Sequence, residues 1–323
     1  MAGESEDVAM LAVCPNPTID RLVVLDELLP GTVGRARENR AYPAGKSVSA
    51  ARGSRANDAA PGVLALLPVE GSAWYLETLR GEGVEVAAHS YPGRVRESII
   101  VIEDDGRVTV LNGTGAPVDA ATWDGFVDAA VARTRPGTWV VCSGSFPPGV
   151  APSAVADLVA AVTGAGGLLA LDTGPAWMPA ALSGAALPAL VTPNLAEAEA
   201  ILAGDAAVEH TWVGEDALDR AASAALALRS RGLASAVVTA GAAGLAWASG
   251  GESGTLPGLA VDVRNPIGAG DAFMGGLVAR LEQGLPFAEA VAWGMATSCA
   301  AIEQWSPGGA DAARVRHHRA RIG

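Results

Sequence analysis

Short apolar runs recur along this chain, each closed by proline, glycine or small polar residues, with helix-period stretches between them. Leu11 to Val13 ends at Cys14-Pro15-Asn16-Pro17 and reads as a buried strand entering a turn. Arg21 to Leu25 reads as a second strand and Pro30-Gly31 as a turn. Ser49 to Ala60 has a helical pattern stopped by Pro61-Gly62. Ser98 to Glu103 and Arg107 to Leu111 flank Asp104-Asp105-Gly106, a hairpin signal. Ala120 to Arg133 is a helix pattern that Asp119 would cap.

From Trp139 onward the rhythm is regular. Trp139 to Cys142 is a strand followed by the loop Ser143-Gly144-Ser145-Phe146-Pro147-Pro148-Gly149, and Pro152 to Thr163 is a helix. Leu168 to Leu171 is a strand that ends in Asp172-Thr173-Gly174. Leu190-Val191 runs into Thr192-Pro193-Asn194 and then a helix from Ala196 to Leu202. Asp216 to Arg231 is a helix, and Ala236 to Thr239 a strand entering Gly241-Ala242-Ala243-Gly244. Ala246 to Ser249 and Leu259 to Val263 read as strands, Asp271 to Gln283 and Phe287 to Ile302 as helices.

Such alternation predicts an α/β fold in which a mostly parallel sheet is covered by helices on both faces. Ligands of these sheets sit beyond the carboxyl ends of the strands. The loops there carry Asn16, Asp20, Ser143, Asp172, Asn194, Gly241 and Gly268 to Asp271. The less regular segments, about 20–42 and 94–112, predict a small β lid. No repeat or linker divides the remainder, so residues 1–323 are expected to form one domain.

Half of the 323 residues are hydrophobic, which excludes general disorder. No apolar stretch is long enough to span a membrane, since Leu158 to Leu171 is cut by Gly164, Gly166 and Gly167. Met1 to Asp7 is acidic and lacks the basic opening of a signal peptide, so a soluble cytoplasmic protein is expected. Cys14, Cys142 and Cys299 lie far apart, and neither they nor His89, His210, His317 and His318 have metal-ligand spacing. A net charge of −13 disfavours nucleic acid as a partner. Lys46 is the sole lysine, set among Arg35, Arg37, Arg40, Arg52 and Arg55 with only Glu38 opposing. This segment is a candidate anion-binding edge, unless its arginines are simply scattered over the surface. Gly45-Lys46-Ser47 ends like a phosphate-binding P-loop, but that pattern needs a glycine where Arg40 stands.

The most informative segment is Asn265-Pro266-Ile267-Gly268-Ala269-Gly270-Asp271. Its glycines let the backbone turn tightly, and the helix that follows contributes unpaired N–H groups and the positive end of its dipole. An anion suits that place, and a carboxylate beside it suits phosphoryl transfer as a base. The plainer reading is a strand-to-helix turn with Asp271 as an N-cap.

Five segments in this order resemble the PfkB-type carbohydrate kinases of the ribokinase superfamily, nearest the 1-phosphofructokinase and tagatose-6-phosphate kinase branch. They are Asn16-Pro17-Thr18-Ile19-Asp20, Ser143 to Gly149, Thr192-Pro193-Asn194-Leu195-Ala196-Glu197, Thr239 to Gly244, and Asn265 to Asp271. The resemblance implies a ribokinase-like three-layer α/β/α core and an ATP- and Mg²⁺-dependent kinase. The acceptor would be a sugar phosphate such as fructose 1-phosphate, fructose 6-phosphate or tagatose 6-phosphate, and the resemblance extends to a homodimer through the lid. Asp271 would be the general base, with the N–H groups of Gly268, Ala269 and Gly270 as the anion hole. Asn16, Asp20, Gly45, Lys46, Ser49 and Ser143 would face the sugar, and Arg96 its existing phosphate. Asn194, Thr239, Gly241 and Gly244 would face the nucleotide, and Asn194 with Glu197 would organise water around Mg²⁺.

Each assignment has a plainer counterpart. Asp20 would cap a turn, Glu197 would be a solvated helix residue, Arg96 would pair with Glu97 or Glu103, and Asn194 would be a simple N-cap. The chain also departs from the family. Ala44-Gly45-Lys46-Ser47-Val48-Ser49 stands where the family has a Gly-Gly-Lys-Gly-x-Asn stretch, and Pro266 replaces a threonine. Chemistry is therefore expected to persist while specificity has moved, toward a sugar-like cyclitol or its phosphate as one alternative. A degenerate kinase that binds sugar or nucleotide as a regulator is the other.

Overall fold

The computed structural model describes residues 10–205 and 214–322, so the acidic Met1 to Asp7 and His210 lie outside the described residues. The first elements are β1 (Met10–Cys14), β2 (Thr18–Leu25), β3 (Glu38–Ala44), α1 (Lys46–Arg55), β4 (Pro61–Glu70), α2 (Ser72–Gly81), β5 (Glu85–Arg94), β6 (Arg96–Glu103) and β7 (Val108–Asn112). Then come α3 (Ala120–Val131), β8 (Trp139–Ser143), α4 (Pro152–Gly164), β9 (Leu168–Asp172), α5 (Met178–Leu182), β10 (Leu190–Val191) and α6 (Leu195–Ala203). The last are α7 (Ala217–Ser230), β11 (Ser235–Thr239), β12 (Gly244–Ser249), β13 (Glu252–Pro257), α8 (Ala269–Glu282), α9 (Phe287–Ile302) and α10 (Ala312–Arg319).

Nine strands form one sheet in the order β13-β12-β11-β10-β9-β8-β1-β4-β5, parallel from β11 to β5 and antiparallel at the β12–β13 edge. Alternate residues of the central strands feed two cores, because successive side chains of a strand point to opposite faces. Leu11 and Val13 join α3 to α7 on one face. Met10, Ala12 and Cys14 join α1, α2, α8, α9 and α10 on the other. This is the expected three-layer α/β/α arrangement. A second sheet, β3-β2-β6-β7, buries Leu22, Val24, Ile100 and Ile102 against Ile267 and Trp305.

Several expectations are corrected. The strand predicted at Leu259 to Val263 is absent, and β13 instead uses the more polar Glu252 to Pro257. An edge strand has a solvated side, so its residues need not be apolar. The helix predicted from Ser49 begins at Lys46 and ends at Arg55. Pro61 does not merely end a helix but opens β4, a strand position where its missing N–H is tolerated. Strands β3 and β5 and helix α2 lie in stretches without a clean hydrophobic period.

Candidate active site

Two helices bring their N-termini together at the carboxyl end of the large sheet. A Cβ on Gly268 would fall 3.1 Å from Ser49 Oγ, and one on Gly53 would fall 2.5 Å from the Ala272 carbonyl oxygen. Helices α1 and α8 therefore run side by side in the same direction, with Lys46 opening one and Ala269 the other. Gly268 caps α8 at φ +82°, and any side chain there would also meet the Gly308 nitrogen at 2.7 Å. Asn265, buried, fixes the turn. Its Oδ1 accepts from Ile267 N at 3.0 Å and its Nδ2 donates to Trp305 O at 2.9 Å. The N–H groups of Gly268, Gly270 and Asp271 have no acceptor among the described residues, and that of Ala269 reaches only Pro266 O at 3.4 Å. Such orphan donors at a helix start attract negative charge.

Asp271 stands in the first turn of α8, buried, and does not cap that helix. Ser143, at the end of β8, donates from Oγ to Asp271 Oδ1 at 2.8 Å, and the same hydroxyl lies 3.2 Å from Asp172 Oδ2. Lys46 Nζ lies 3.3 Å from Asp172 Oδ2, while Asp172 Oδ1 is buried without a partner. Burial pushes the Asp271 carboxyl up to about 6, with Asp172 adding to the rise and Lys46 and the Ser143 hydroxyl opposing it. The Asp172 carboxylate holds Lys46 firmly protonated against its own burial. A base that titrates near neutrality, beside a fixed cation and open N–H donors, is equipped to deprotonate an alcohol and stabilise an anion.

Asp20 lies on the buried face of β2, in a strand and not at a turn. Burial pushes it up to about 6, with Arg96 opposing. Arg96 pairs with neither Glu97 nor Glu103. It donates from Nε and Nη2 to Asn16 O at 3.2 and 2.9 Å, and from Nη1 to Gly113 O at 3.1 Å. Asn16 Nδ2 donates to Ser145 Oγ at 3.1 Å. Beside this fork is an open hollow of about 560 Å³ lined by Arg94, Arg96, Glu97, Gly113 and Gly115. Gly45 adopts φ +132°, and a Cβ there would fall 2.7 Å from Cys14 Sγ, so the chain passes close to the β1 end.

On the other flank, Asn194 and Glu197 form a reciprocal cap on α6. Asn194 Oδ1 accepts from Glu197 N at 2.9 Å, and Glu197 Oε2 accepts from Asn194 N at 3.0 Å. Asn194 is thus the N-cap of the plainer reading, and Glu197 is half-buried rather than fully solvated. Burial pushes Glu197 up to about 7, with Asp172 adding and Lys46 opposing. Thr239 bridges to Asn194, and Gly241 faces open space.

Two expected residues have packing contacts of their own. A Cβ on Gly244 would sit 2.1 Å from Leu256 O, so this glycine serves the β12–β13 crossing. The Ser49 hydroxyl reaches only Pro307 O, at 3.5 Å, and Ser49 packs against Gly308. The proposed basic edge is mostly spent elsewhere. Arg52 is buried on Glu82, Pro43 O and Pro307 O, Arg37 pairs with Asp26 and Asp104, Arg40 with Glu38, and Arg55 bonds Glu82 O. Lys46 reaches the site through Asp172. Ser47 is buried, with Oγ donating to Val13 O at 2.6 Å and accepting from Ser143 N at 2.9 Å. Asp172 was recognisable only as a strand-end residue, and nothing in the sequence pointed to its pairing with Lys46.

The family described as "pfkB family carbohydrate kinase" matches residues 16–312. A 1-phosphofructokinase of Xanthomonas campestris is 33% identical over 282 residues, covering 84% of this chain and 83% of that one. A 1-phosphofructokinase of Haemophilus influenzae is 28% identical over 308 residues, covering 94% of each. Among solved structures, phosphofructokinase-2 from Escherichia coli in complex with fructose-6-phosphate superposes with a TM-score of 0.84 at 20% identity, covering 98% of this chain and 99% of that one. No helix among the described residues is long and apolar enough to cross a membrane.

Proposed function

The chain belongs to the pfkB family of carbohydrate kinases, and from that premise we propose that it transfers the γ-phosphoryl group of ATP to a hydroxyl of a hexose phosphate, with fructose 1-phosphate as the first acceptor to test. The observation that carries this reading is the buried Asp271 carboxyl beside the unpartnered N–H groups at the start of α8.

Asp271 takes the proton of the acceptor hydroxyl, and the oxygen attacks the γ-phosphoryl group in line. The N–H groups of Gly268, Ala269 and Gly270, with Lys46 nearby, face the charge on the migrating group. Asp20, Asn16 and the backbone at Gly45 face the sugar. Arg96, with three of its N–H groups anchored and two left over, lines the hollow that would take the existing phosphate. The nucleotide lies along Thr239 and Gly241. Among the described residues there is no preformed cluster of three or more metal-binding side chains. Burial disfavours the charge on Glu197, which a nearby cation would relieve. Asn194 and Glu197 supply oxygen donors of the kind Mg²⁺ prefers, held through its water shell. When bound, the ion would screen the charge on the nucleotide's phosphates.

The names of the curated relatives favour fructose 1-phosphate as acceptor. The test is ADP release with ATP and Mg²⁺ over a panel of fructose 1-phosphate, fructose 6-phosphate, tagatose 6-phosphate and cyclitol phosphates. Highest kcat/KM on a hexose phosphate supports the reading, a cyclitol preference moves the acceptor, and no ADP with any acceptor refutes the kinase. The small sheet serves as lid and dimer contact in this reading, since Leu28, Leu29, Val33, Ile99 and Leu111 are exposed on or beside it.

A further inference from the structure

We propose that Ser143 is a hydroxyl rotor that follows the protonation state of the base, its single O–H pointing to Asp271 while that carboxylate is ionised and turning to Asp172 once Asp271 has taken the acceptor's proton. The inference rests on Asp271 being the base.

The argument is one of hydrogens. Ser143 Oγ lies 2.8 Å from Asp271 Oδ1 and 3.2 Å from Asp172 Oδ2. A hydroxyl has one hydrogen, and an ionised carboxylate can only accept. Ser143 therefore cannot satisfy both carboxylates while both are ionised. The shorter contact marks the resting state, in which Ser143 donates to ionised Asp271. When Asp271 binds a proton, that proton is donated to Ser143 Oγ, and the Ser143 hydrogen is released to Asp172 Oδ2. Every contact then has its hydrogen. Asp172 is suited to wait as an acceptor because Lys46 Nζ, 3.3 Å away, compensates its charge. The balance is simple: one proton leaves the acceptor oxygen, one O–H bond forms on Asp271, and the serine O–H only rotates. Loss of the proton from Asp271 after phosphoryl transfer resets the rotor.

The serine backbone is held while the hydroxyl is free to turn, since Ser143 N donates to Ser47 Oγ at 2.9 Å. Ser47 is itself buried, with its hydroxyl donating to Val13 O at 2.6 Å, so that hydroxyl has a structural task here. The charged or titratable groups acting on Asp271 are Lys46 from α1, Asp172 from β9, Glu197 from α6, Asp20 from β2 and Cys14 from β1. Burial pushes the Cys14 thiol up to about 12, so it stays neutral. Glu197 and Asp20 are unchanged in both variants below.

The test is the pH profile of kcat/KM for the wild type, Ser143→Ala and Asp172→Asn, with Asp271→Asn assayed beside them. Ser143→Ala removes the donor that favours ionised Asp271, so the acid limb moves up by about one pH unit. Asp172→Asn removes a neighbouring negative charge, so the limb moves down by about one unit. In the Ser143→Ala background Asp172→Asn moves the limb less than it does in the wild type, because the link through the hydroxyl is already gone, whereas strictly additive shifts overturn the rotor. A merely structural lesion lowers turnover at all pH without moving the limb. If Ser143→Ala fails to fold, Ser143→Cys, with a much weaker donor in a similar volume, replaces it in the same comparison. Limbs that do not move, or that move in the same direction, overturn the rotor even if Asp271→Asn abolishes turnover. Retained turnover in Asp271→Asn instead refutes the base, and the rotor with it.

Discussion

Substituting Gly275 by alanine probes the close approach of α1 and α8 on which the site is built. A Cβ there would lie 1.9 Å from Ala50 O, 2.7 Å from Ala50 C and 2.9 Å from Ser54 N. All three are backbone atoms of α1, so no side chain can swing aside, and the carbonyl must retreat by about 1 Å before contact becomes tolerable. Alanine favours a helix over glycine by about 1 kcal/mol. Overpacking costs about 1–3 kcal/mol, and a clash with another helix's backbone belongs at the upper end. The expected net loss is about 2 kcal/mol, a fall of roughly 3 °C in melting temperature for a chain of this size. Turnover should fall too, because Lys46 on α1 and Asp271 on α8 separate as the helices part. Gly164, the last residue of α4, is the control: nothing lies within 4 Å of its Cβ position. Gly164→Ala should gain about 0.5–1 kcal/mol. Calorimetric melts and steady-state assays measure both variants. A Gly275→Ala protein that melts at or above the wild type would refute the claimed helix contact.

Gly268→Ala forces a side chain into φ +82° and onto the Gly308 nitrogen, so kcat should fall by about a hundredfold or more; unchanged kcat would mean that the turn does not shape the anion hole. Arg96→Ala should raise KM about a hundredfold for a phosphorylated acceptor, as expected for lost charge-assisted bonds, and far less for the unphosphorylated sugar. Equal losses on both would move the phosphate away from Arg96. The Asp271 carboxyl is pushed up from 3.8 to about 6 in the folded protein, so its ionisation opposes folding. The stability associated with it is full below about pH 4 and lost as pH rises through about 6. Asp271→Asn should therefore melt higher than wild type at pH 8, with the gap closing toward pH 4; a gap independent of pH would contradict the burial argument.

Strands buried on both faces were legible because their residues are apolar without interruption: β8, β9 and β11 each lie within about a residue of the apolar run that predicted them. The β13 edge and the strand β3 were not, since partial exposure leaves no apolar signature. Pro61 misled because a proline that breaks a helix can also begin a strand. At the candidate site, the Gly-Ala-Gly turn and the run of strand-end residues pointed to the carboxyl end of the sheet, where the structure brings Ser143, Asp172 and Asp271 together. Contacts between distant segments decided the rest. Gly244 and Ser49 were drawn into packing by Leu256 and Gly308, and Asp172 acquired its role from Lys46, which is remote in sequence. The arginines near Lys46 looked like an anion-binding edge only because their partners, Glu82, Asp26 and Asp104, lie outside that segment.

Turnover of Asp271→Asn under saturating ATP, Mg²⁺ and the best acceptor, with nucleotide affinity measured on the same preparation, tests the central claim most directly. Turnover reduced by several orders of magnitude with nucleotide binding nearly intact is the predicted result. Near-normal turnover would show that the carboxyl at the start of α8 is not the base.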